Sequence, residues 1–247
     1  MKPKIIPTLI FNIRAFGLRK GFKLPVYVYG RVKIAHMGRI DIRCPLRRRI
    51  IAIGLNSDKT TTTHTLWNNK GTVIVEGPTY INHGCIILNE GTLTFRGNAL
   101  VGLDTVFDIK QSLELGHDCS IGYRSHFTDT DGHYTVDLAT RRVSNNTRGI
   151  KIGNYNWFGA CTFVKKGTVT PDYLLTASPN ALLCKDYSSL PPHSVLAGTP
   201  ARPIKDGIRR IYNFRNEHQI RQHFQNHPDQ DFTIDSQVDL DTYCRLT

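Results

Sequence analysis

Residues 95–127 read FRGNALVGLDTVFDIKQSLELGHDCSIGYRSHF, and large apolar residues recur in this stretch every six positions, with one two-residue slip. The same spacing returns further along the chain. The three series consist of Phe95, Val101, Phe107, Leu115, Ile121, Phe127, Ile152, Phe158 and Val164. Glycine directly follows several of these residues, as in Val101-Gly102 and Phe158-Gly159.

A three-sided coil of parallel strands explains this period. Each side of such a coil takes about six residues, with one large side chain inside and small residues or glycine at the corners. A β-sandwich is the alternative, because its alternation of two is compatible with six. Three series with the same glycine offset favour the coil. We therefore predict an all-β parallel β-helix over residues 25–205.

Two stretches depart from the period. Residues 129–149 abandon it, which predicts a loop that projects from the coil and is functional, as long loops in regular architectures usually are. Residues 41–70 are also irregular and suggest an early coil with an insertion.

The two ends of the chain differ from the repeats. Residues 1–24 combine apolar and basic positions on a helical pattern, which fits a cap on the coil or a helix lying on an anionic membrane, and we favour the cap. Residues 206–247 predict a short basic helix over 206–224, followed by a polar tail.

Composition limits the class of protein. Hydrophobic residues make up 40% of the 247 residues, enough for a sizeable core. No apolar run is long enough to span a membrane, and the N-terminus lacks the apolar stretch of a secretory signal. The six cysteines form no CxxC pair. We therefore expect reduced thiols and a cytoplasmic protein.

The formal net charge of +12 suits anionic partners. Nucleic acid, an anionic membrane surface and phosphorylated small molecules all fit this charge, and so does a merely solubilising surface. The sequence has no aromatic-basic nucleic-acid motif, so we expect no nucleic-acid partner.

Three motifs resemble those of one family. Residues 150–167, IKIGNYNWFGACTFVKKG, and residues 192–205, PHSVLAGTPARPIK, look like two signatures of the hexapeptide-repeat acyltransferases. The DTDGH of residues 129–133 resembles the catalytic-histidine segment of the branch that acetylates sugars and polysaccharides, with maltose and galactoside O-acetyltransferases as relatives. The resemblance covers about residues 72–205. Departures from the family pattern include Phe158 and an inserted residue in 176–185.

The resemblance implies a left-handed coil, a homotrimer and active sites between subunits. It implies acetyl-CoA as co-substrate and a sugar or polysaccharide precursor as acceptor, with no metal. The basic N-terminal segment points to a surface-polysaccharide precursor as the acceptor, since such precursors are assembled at the inner membrane surface. We therefore also expect a peripheral location at that surface. The residues carried over for acetyl-CoA binding are Trp157, Gly159, Ala160, Ala177, Ser178, Lys185, Pro200, Ala201 and Arg202.

His133 is the candidate general base. A neutral imidazole can take the proton of an attacking hydroxyl, because its ordinary pKa lies near working pH. Asp129 and Asp131 are candidates to orient the imidazole, with Asp131 preferred. His126 is a candidate for substrate contact. Acyl transfer through Cys161 or Cys184 is disfavoured, since their periodic positions suggest core or corner residues.

Three other functions fit parts of the sequence. N-acetylation of a nucleotide-linked amino sugar needs the same fold and cofactor. A zinc site of His117, His126 and His133, as in carbonic-anhydrase-like β-helix proteins, is a second alternative. A non-catalytic binding module is the third, and steep salt dependence without coenzyme A affinity would indicate it.

Overall fold

The structure, a computed structural model, describes residues 2–56 and 63–245, so the threonines 60–62 of the irregular stretch lie outside the described residues. The strands, numbered in chain order, are β1 (Val26–Val28), β2 (Val32–His36), β3 (Arg39–Ile42), β4 (Ile51–Leu55), β5 (Thr65–Asn69), β6 (Thr72–Val75), β7 (Thr79–Asn82), β8 (Ile86–Asn89), β9 (Thr92–Phe95), β10 (Ala99–Val101), β11 (Val106–Ile109), β12 (Ser112–Leu115), β13 (Ser120–Ile121), β14 (His126–Thr128), β15 (Ile150–Ile152), β16 (Trp157–Phe158), β17 (Phe163–Val164), β18 (Leu175–Thr176), β19 (Leu182–Leu183), β20 (Val195–Ala197) and β21 (Arg202–Lys205).

Successive strands from β1 to β17 enter three sheets in rotation. Sheet A has the order β1-β4-β7-β10-β13-β16-β18-β20-β21, sheet B has β19-β17-β14-β11-β8-β5-β2, and sheet C has β15-β12-β9-β6-β3. The strand pairs are parallel up to β20, and β21 then turns back antiparallel to β20. The predicted β-rich fold with parallel sheets is confirmed, and its three-sided rotation follows from this strand order.

The six-residue series point inward. All members of the three series are buried. Val101 pairs in register with Ile121, and Phe107 with Phe127, so one full turn of the chain takes 20 residues here. A 20-residue turn explains the two-residue slip, because three six-residue sides need two more residues to close it.

Aromatic rings form the centre of this core. The ring centroids of Phe95 and Phe107 lie 6.0 Å apart, those of Phe107 and Phe127 5.4 Å, and those of Phe127 and Phe158 5.3 Å. Each spacing is within the range of favourable aromatic pairs. The Phe158 that departs from the family pattern therefore extends an aromatic column through successive turns.

Residues 129–149 connect β14 of sheet B to β15 of sheet C, and we call them the 129–149 connection. The part from 131 to 145 is exposed. Two isolated antiparallel bridges, Thr130 with Thr147 and Val136 with Val143, hold its two limbs together. The predicted break in the period thus falls between two strands that belong to regular turns.

Helix α1 (Ile5–Gly21) covers the first strand of sheet A. The Asn12 side chain donates to the Val26 carbonyl over 2.7 Å and accepts from the Val26 N–H over 3.0 Å. The Thr8 hydroxyl accepts from the Val28 N–H over 3.0 Å. These bonds pair backbone groups at a sheet edge that would otherwise be open. The capping role favoured for residues 1–24 is thus what α1 performs.

Residues 2–206 form one compact unit, and a second unit follows from Gly207. The second unit contains helix α2 (Phe214–Asn226) and helix α3 (Leu240–Cys244). Helix α2 begins later than the predicted 206–224, because the Asn213 side chain caps it by accepting from the N–H groups of Arg215 and Asn216. Within the described residues, no helix combines the length and the apolar character needed to cross a bilayer.

Candidate active site

His133 lies at the beginning of the exposed part of the 129–149 connection. The turn before it is fixed by local bonds: the Thr128 hydroxyl donates to the Thr130 carbonyl over 3.0 Å, and the Gly132 N–H donates to the Thr130 hydroxyl over 3.0 Å. Among the hydrogen bonds of the described residues, none involves the His133 ring. The structure therefore presents this imidazole to solvent on an ordered turn.

Asp129 does not contact the imidazole, contrary to the sequence interpretation. Its carboxylate is fully buried and accepts the backbone N–H groups of Lys110, Gln111 and Ser112, each over 2.7 Å. A carboxylate with three such donors is fully engaged by the backbone. Asp129 therefore joins the first residue of the connection to the preceding turn of the coil.

Asp131 forms ion pairs instead of orienting His133. Its carboxylate lies 3.3 Å from the Lys165 ammonium and 2.5 Å from the Lys166 ammonium. The pKa of Asp131 is lowered below its ordinary value, and the hydrogen bond with Lys166 is the largest cause. Lys166 also donates to the Asn145 carbonyl over 3.1 Å. We call Asp131, Lys165 and Lys166 the latch, because they tie both limbs of the connection to β17.

Both lysines of the latch are engaged in contacts with the connection. Their role was not visible in the sequence, where 34 positions separate Asp131 from Lys165. The one signal was the pair of adjacent lysines directly after a coil strand. Only the stacking of β17 on β14 brings these residues together.

His126 occupies an outward position on β14 in sheet B. It is half-buried, and its ring centroid lies 5.8 Å from that of Phe163 on the next strand. Burial lowers the pKa of His126 below its ordinary value, partly opposed by the Asp108 carboxylate. Its Nε2 atom is buried without a hydrogen-bond partner among the described residues. The environment therefore favours a neutral imidazole.

The candidate pantetheine-binding residues lie at the corner between sheets A and B. Gly159 and Ala160 directly follow β16, and Ala177 and Ser178 directly follow β18, the next strand in sheet A. The Gly159 N–H donates to the Thr176 hydroxyl over 2.8 Å, and the Ser178 hydroxyl approaches the Ala160 carbonyl at 3.5 Å. The structure brings these four residues together.

Small residues are required at this corner. A Cβ atom on Gly122 would lie 2.5 Å from the Ala160 nitrogen of the next turn, closer than packing allows. Glycine there permits the two turns to stack at their normal spacing. The corner therefore carries closely spaced backbone with small side chains, which is the surface that an extended amide-containing arm needs.

The closing motif folds over the end of the coil. The Ala201 N–H donates to the Leu182 carbonyl over 2.8 Å, and the Thr199 hydroxyl donates to the Asn180 carbonyl over 2.8 Å. Pro200 lies between them, and Arg202 begins β21 with an exposed side chain.

Lys185 lies away from the pantetheine corner, whereas Trp157 is on β16, two residues before Gly159. Lys185 follows β19 of sheet B, and its carbonyl accepts the Val169 N–H, which places it on the side of the coil that leads to sheet C. Trp157 is 38% exposed on the outer face of sheet A, in register with Ser120 and Leu175. Within one chain Lys185 is therefore separated from the predicted pantetheine residues.

The three histidines of the zinc alternative occupy different parts of the chain. His117 is exposed between sheets C and A, His126 lies on sheet B, and His133 lies in the connection. Among the described residues, no group of three or more histidine, cysteine, aspartate or glutamate side chains is arranged to hold a metal ion.

Sequence reasoning missed an apolar row on the outer face of sheet B. These side chains occupy the same outward position on successive strands, and Phe163 is 42% exposed. The signal in the sequence was that these strands carry aliphatic residues at outward as well as inward positions, which is typical of strands covered on both faces. The row consists of Leu66, Ile86, Val106, His126, Phe163 and Leu182.

No protein-family model matches the chain. Among solved structures, the polySia-specific acetyltransferase NeuO is 18% identical with a TM-score of 0.43, covering 83% of this chain and 99% of that one. AntD, an N-acyltransferase from Bacillus cereus crystallised with dTDP and 3-hydroxybutyryl-CoA, is 14% identical with a TM-score of 0.42, covering 83% of this chain and 89% of that one.

A sequence relative is the polysialic acid O-acetyltransferase of Escherichia coli O1:K1 / APEC. It is 28% identical over 128 residues, which cover 51% of this chain and 40% of that protein. The chain thus spans less than half the length of this relative. The resemblance to sugar O-acetyltransferases that the three motifs carry is thus confirmed by the similarity of the chain to a polysialic acid O-acetyltransferase.

Proposed function

We propose that the chain is an acetyltransferase that moves the acetyl group of acetyl-CoA to a hydroxyl of a sugar or polysaccharide precursor. The three motifs and the similarity to a polysialic acid O-acetyltransferase support this activity. The observation that carries it is the stacking of Gly159 and Ala160 on Ala177 and Ser178 at one corner of the coil. We also propose the left-handed coil and the projecting loop that the family resemblance implies.

The pantetheine arm would lie along this corner, where small side chains leave backbone amides and carbonyls within its reach. Arg202, exposed at the start of β21, would pair with a phosphate of the nucleotide. Pro200 and Ala201 would contact the nucleotide beside it. Lys185 lies at another corner, so we propose that it reaches the cofactor bound by a neighbouring copy.

His133 would act as general base. Its free ring nitrogen takes the hydroxyl proton of the sugar as the oxygen attacks the thioester carbon. The carbon–sulfur bond then breaks, and the imidazolium returns the proton to the leaving thiolate of coenzyme A. Backbone N–H groups at the corner would stabilise the oxyanion. In this scheme Asp131 acts through the latch, as a positioning residue for the turn that carries His133.

The acceptor is proposed to be an anionic sugar polymer or its precursor. Arg141 and Arg142 are exposed in the 129–149 connection, and no ion pair of the described residues engages them. Two free guanidinium groups on the same connection as the base suit carboxylate or phosphate groups of an acceptor. His126 is proposed to contact the acceptor, and the protein to act in the cytoplasm, at the inner surface of the membrane.

The homotrimer is proposed to form through the apolar row of sheet B. Partly exposed aliphatic and aromatic side chains on successive strands form a patch that association would cover. Phe163→Asp places a charge in this row and is expected to convert a trimer into monomers in sedimentation equilibrium. Phe214→Asp, an exposed phenylalanine in the second unit, is the control. Trimers that survive Phe163→Asp would place the interface elsewhere.

Release of the coenzyme A thiol tests the activity. The purified chain is incubated with acetyl-CoA and matched hydroxyl and amino sugars, with neutral and anionic members of each pair. We expect thiol release with anionic hydroxyl acceptors. Release with the amino sugars alone would establish N-acetylation instead, and no release with any member would contradict the proposal.

A further inference from the structure

The outer side of helix α1 is apolar, and the residues that the structure describes leave it exposed. Thr8, Phe11 and Asn12 face the coil and are buried. Ile6, Ile10 and Ile13 follow at intervals of four and three residues, the spacing of one helical face. Ile6 is 70% exposed, and Ile10 is also exposed. Beyond the kink at Gly17, the large apolar side chains that remain exposed are Leu18 and Phe22.

Basic residues border this apolar face, and the helical segment itself carries no acidic residue. The stretch from residue 2 to residue 24 contains six lysines and arginines and no aspartate or glutamate. All six are exposed, and no ion pair of the described residues engages them. They are Lys2, Lys4, Arg14, Arg19, Lys20 and Lys23.

A second basic segment lies at the same end of the coil. Arg47 and Arg48 are exposed, and the Arg49 N–H that follows them donates to the Leu24 carbonyl over 3.1 Å. This bond joins the arginine turn to the chain that leaves α1. The N-terminal end of the coil therefore combines uncovered isoleucines with a border of cations from two segments.

We propose that this end of the coil, centred on Ile6 and Ile10, docks on an anionic lipid bilayer. Apolar side chains bordered by lysine and arginine are typical of helices that lie in the membrane interface. Each nearby cation adds attraction to an anionic leaflet. The core of a protein–protein interface, by contrast, is depleted in lysine. The inference deepens the location given under the proposed function, on which it rests, by assigning the membrane contact to named residues of α1; it does not depend on the acetyl-transfer chemistry.

Docking through α1 would set the distance between the membrane surface and the candidate active site. The bonds from Thr8 and Asn12 to β1 attach the helix to the first turn of the coil. Strand β14, which leads into the 129–149 connection, is the fifth strand of sheet B. Neighbouring strands are about 4.8 Å apart, so the site would stand about 20 Å above the first turn. A membrane-attached acceptor would extend to that height.

Vesicle co-sedimentation of the full chain tests the proposal. One vesicle preparation contains phosphatidylcholine alone, and the other contains equal parts of phosphatidylcholine and phosphatidylglycerol. We expect binding to the anionic vesicles that is more than tenfold stronger than binding to the neutral ones. The double variant Ile6→Ser/Ile10→Ser and the triple variant Arg14→Gln/Arg19→Gln/Lys20→Gln are each expected to weaken it more than tenfold.

Matched substitutions in the second unit serve as controls. Phe214→Ser and Arg221→Gln remove an exposed phenylalanine and an exposed arginine and are expected to bind as the unchanged chain does. Thiol release from acetyl-CoA is measured in parallel with a soluble acceptor. We expect it to be unchanged in all variants, so that loss of docking is separable from loss of catalysis.

Three results would overturn the proposal. One is equal binding to neutral and anionic vesicles, and another is unchanged binding of both N-terminal variants. The third is absence of vesicle binding combined with concentration-dependent self-association that Ile6→Ser/Ile10→Ser abolishes. That last result would assign the apolar face to a second copy of the chain.

Discussion

His133→Ala is expected to lower kcat/KM for acetyl transfer about 10²–10⁴-fold, the usual contribution of a positioned general base. Without the imidazole, the hydroxyl proton has only water to accept it as the oxygen attacks the thioester. The imidazole lies on an exposed turn and has no hydrogen bond within the described residues, so its loss should leave the fold unchanged. Thiol release from acetyl-CoA with the best acceptor measures the effect.

His117→Ala is the control for this prediction. It removes another exposed histidine, outside the connection, and should retain the original rate. Equal rates for His133→Ala and the unchanged chain would remove His133 from the reaction.

Asp129→Asn is expected to affect stability. It removes a charge that three backbone N–H groups share, so it should lower the free energy of unfolding by about 1–3 kcal/mol.

Phe127→Ala is expected to lower the free energy of unfolding by about 3–5 kcal/mol, as truncation of a buried phenylalanine usually does. The Phe127 ring is fully buried between two other rings, with centroids 5.4 Å from Phe107 and 5.3 Å from Phe158. Neighbouring turns of the coil cannot close the resulting cavity, because their spacing is fixed by backbone hydrogen bonds. Urea unfolding followed by circular dichroism gives the value.

Tyr134→Ala is the matched control for this core substitution. Tyr134 is an aromatic residue of the same compact unit, but its side chain is 68% exposed in the 129–149 connection. Its truncation should change the free energy of unfolding by less than about 0.5 kcal/mol. Similar losses for the two variants would show that the aromatic column does not carry the stability of the coil.

Local periodicity was sufficient to predict a β-rich fold of parallel sheets with one inward residue on each side of a turn. In a repeating structure each turn contacts only its neighbours, so the same small set of requirements recurs along the chain and becomes visible as a period. Phe95, Val101 and Phe107 were predicted to point inward on this ground, and all three are buried. The break at residues 129–149 was visible for the same reason, as a loss of the period.

The partners of the candidate site residues could not be predicted in this way. Asp129 and Asp131 are two residues apart and chemically identical, yet one carboxylate is buried on three backbone N–H groups and the other pairs with Lys165 and Lys166. Their distance from β14 decides this difference. Asp129 directly follows the strand and is buried, whereas Asp131 lies at the start of the exposed part of the connection. No local sequence pattern distinguishes a carboxylate bonded to the backbone from one that orients an imidazole.

The sequence by itself determined the parallel, three-sided fold, the inward residues and the family resemblance, because these depend on spacing along the chain. Only the tertiary structure decided which residues share a corner, which aspartate belongs to the latch, and which faces of α1 and sheet B remain uncovered. Those properties depend on how one turn stacks on the next. Residues that meet across neighbouring turns are 17 to 37 positions apart in the sequence, and no local sequence pattern identifies such pairs.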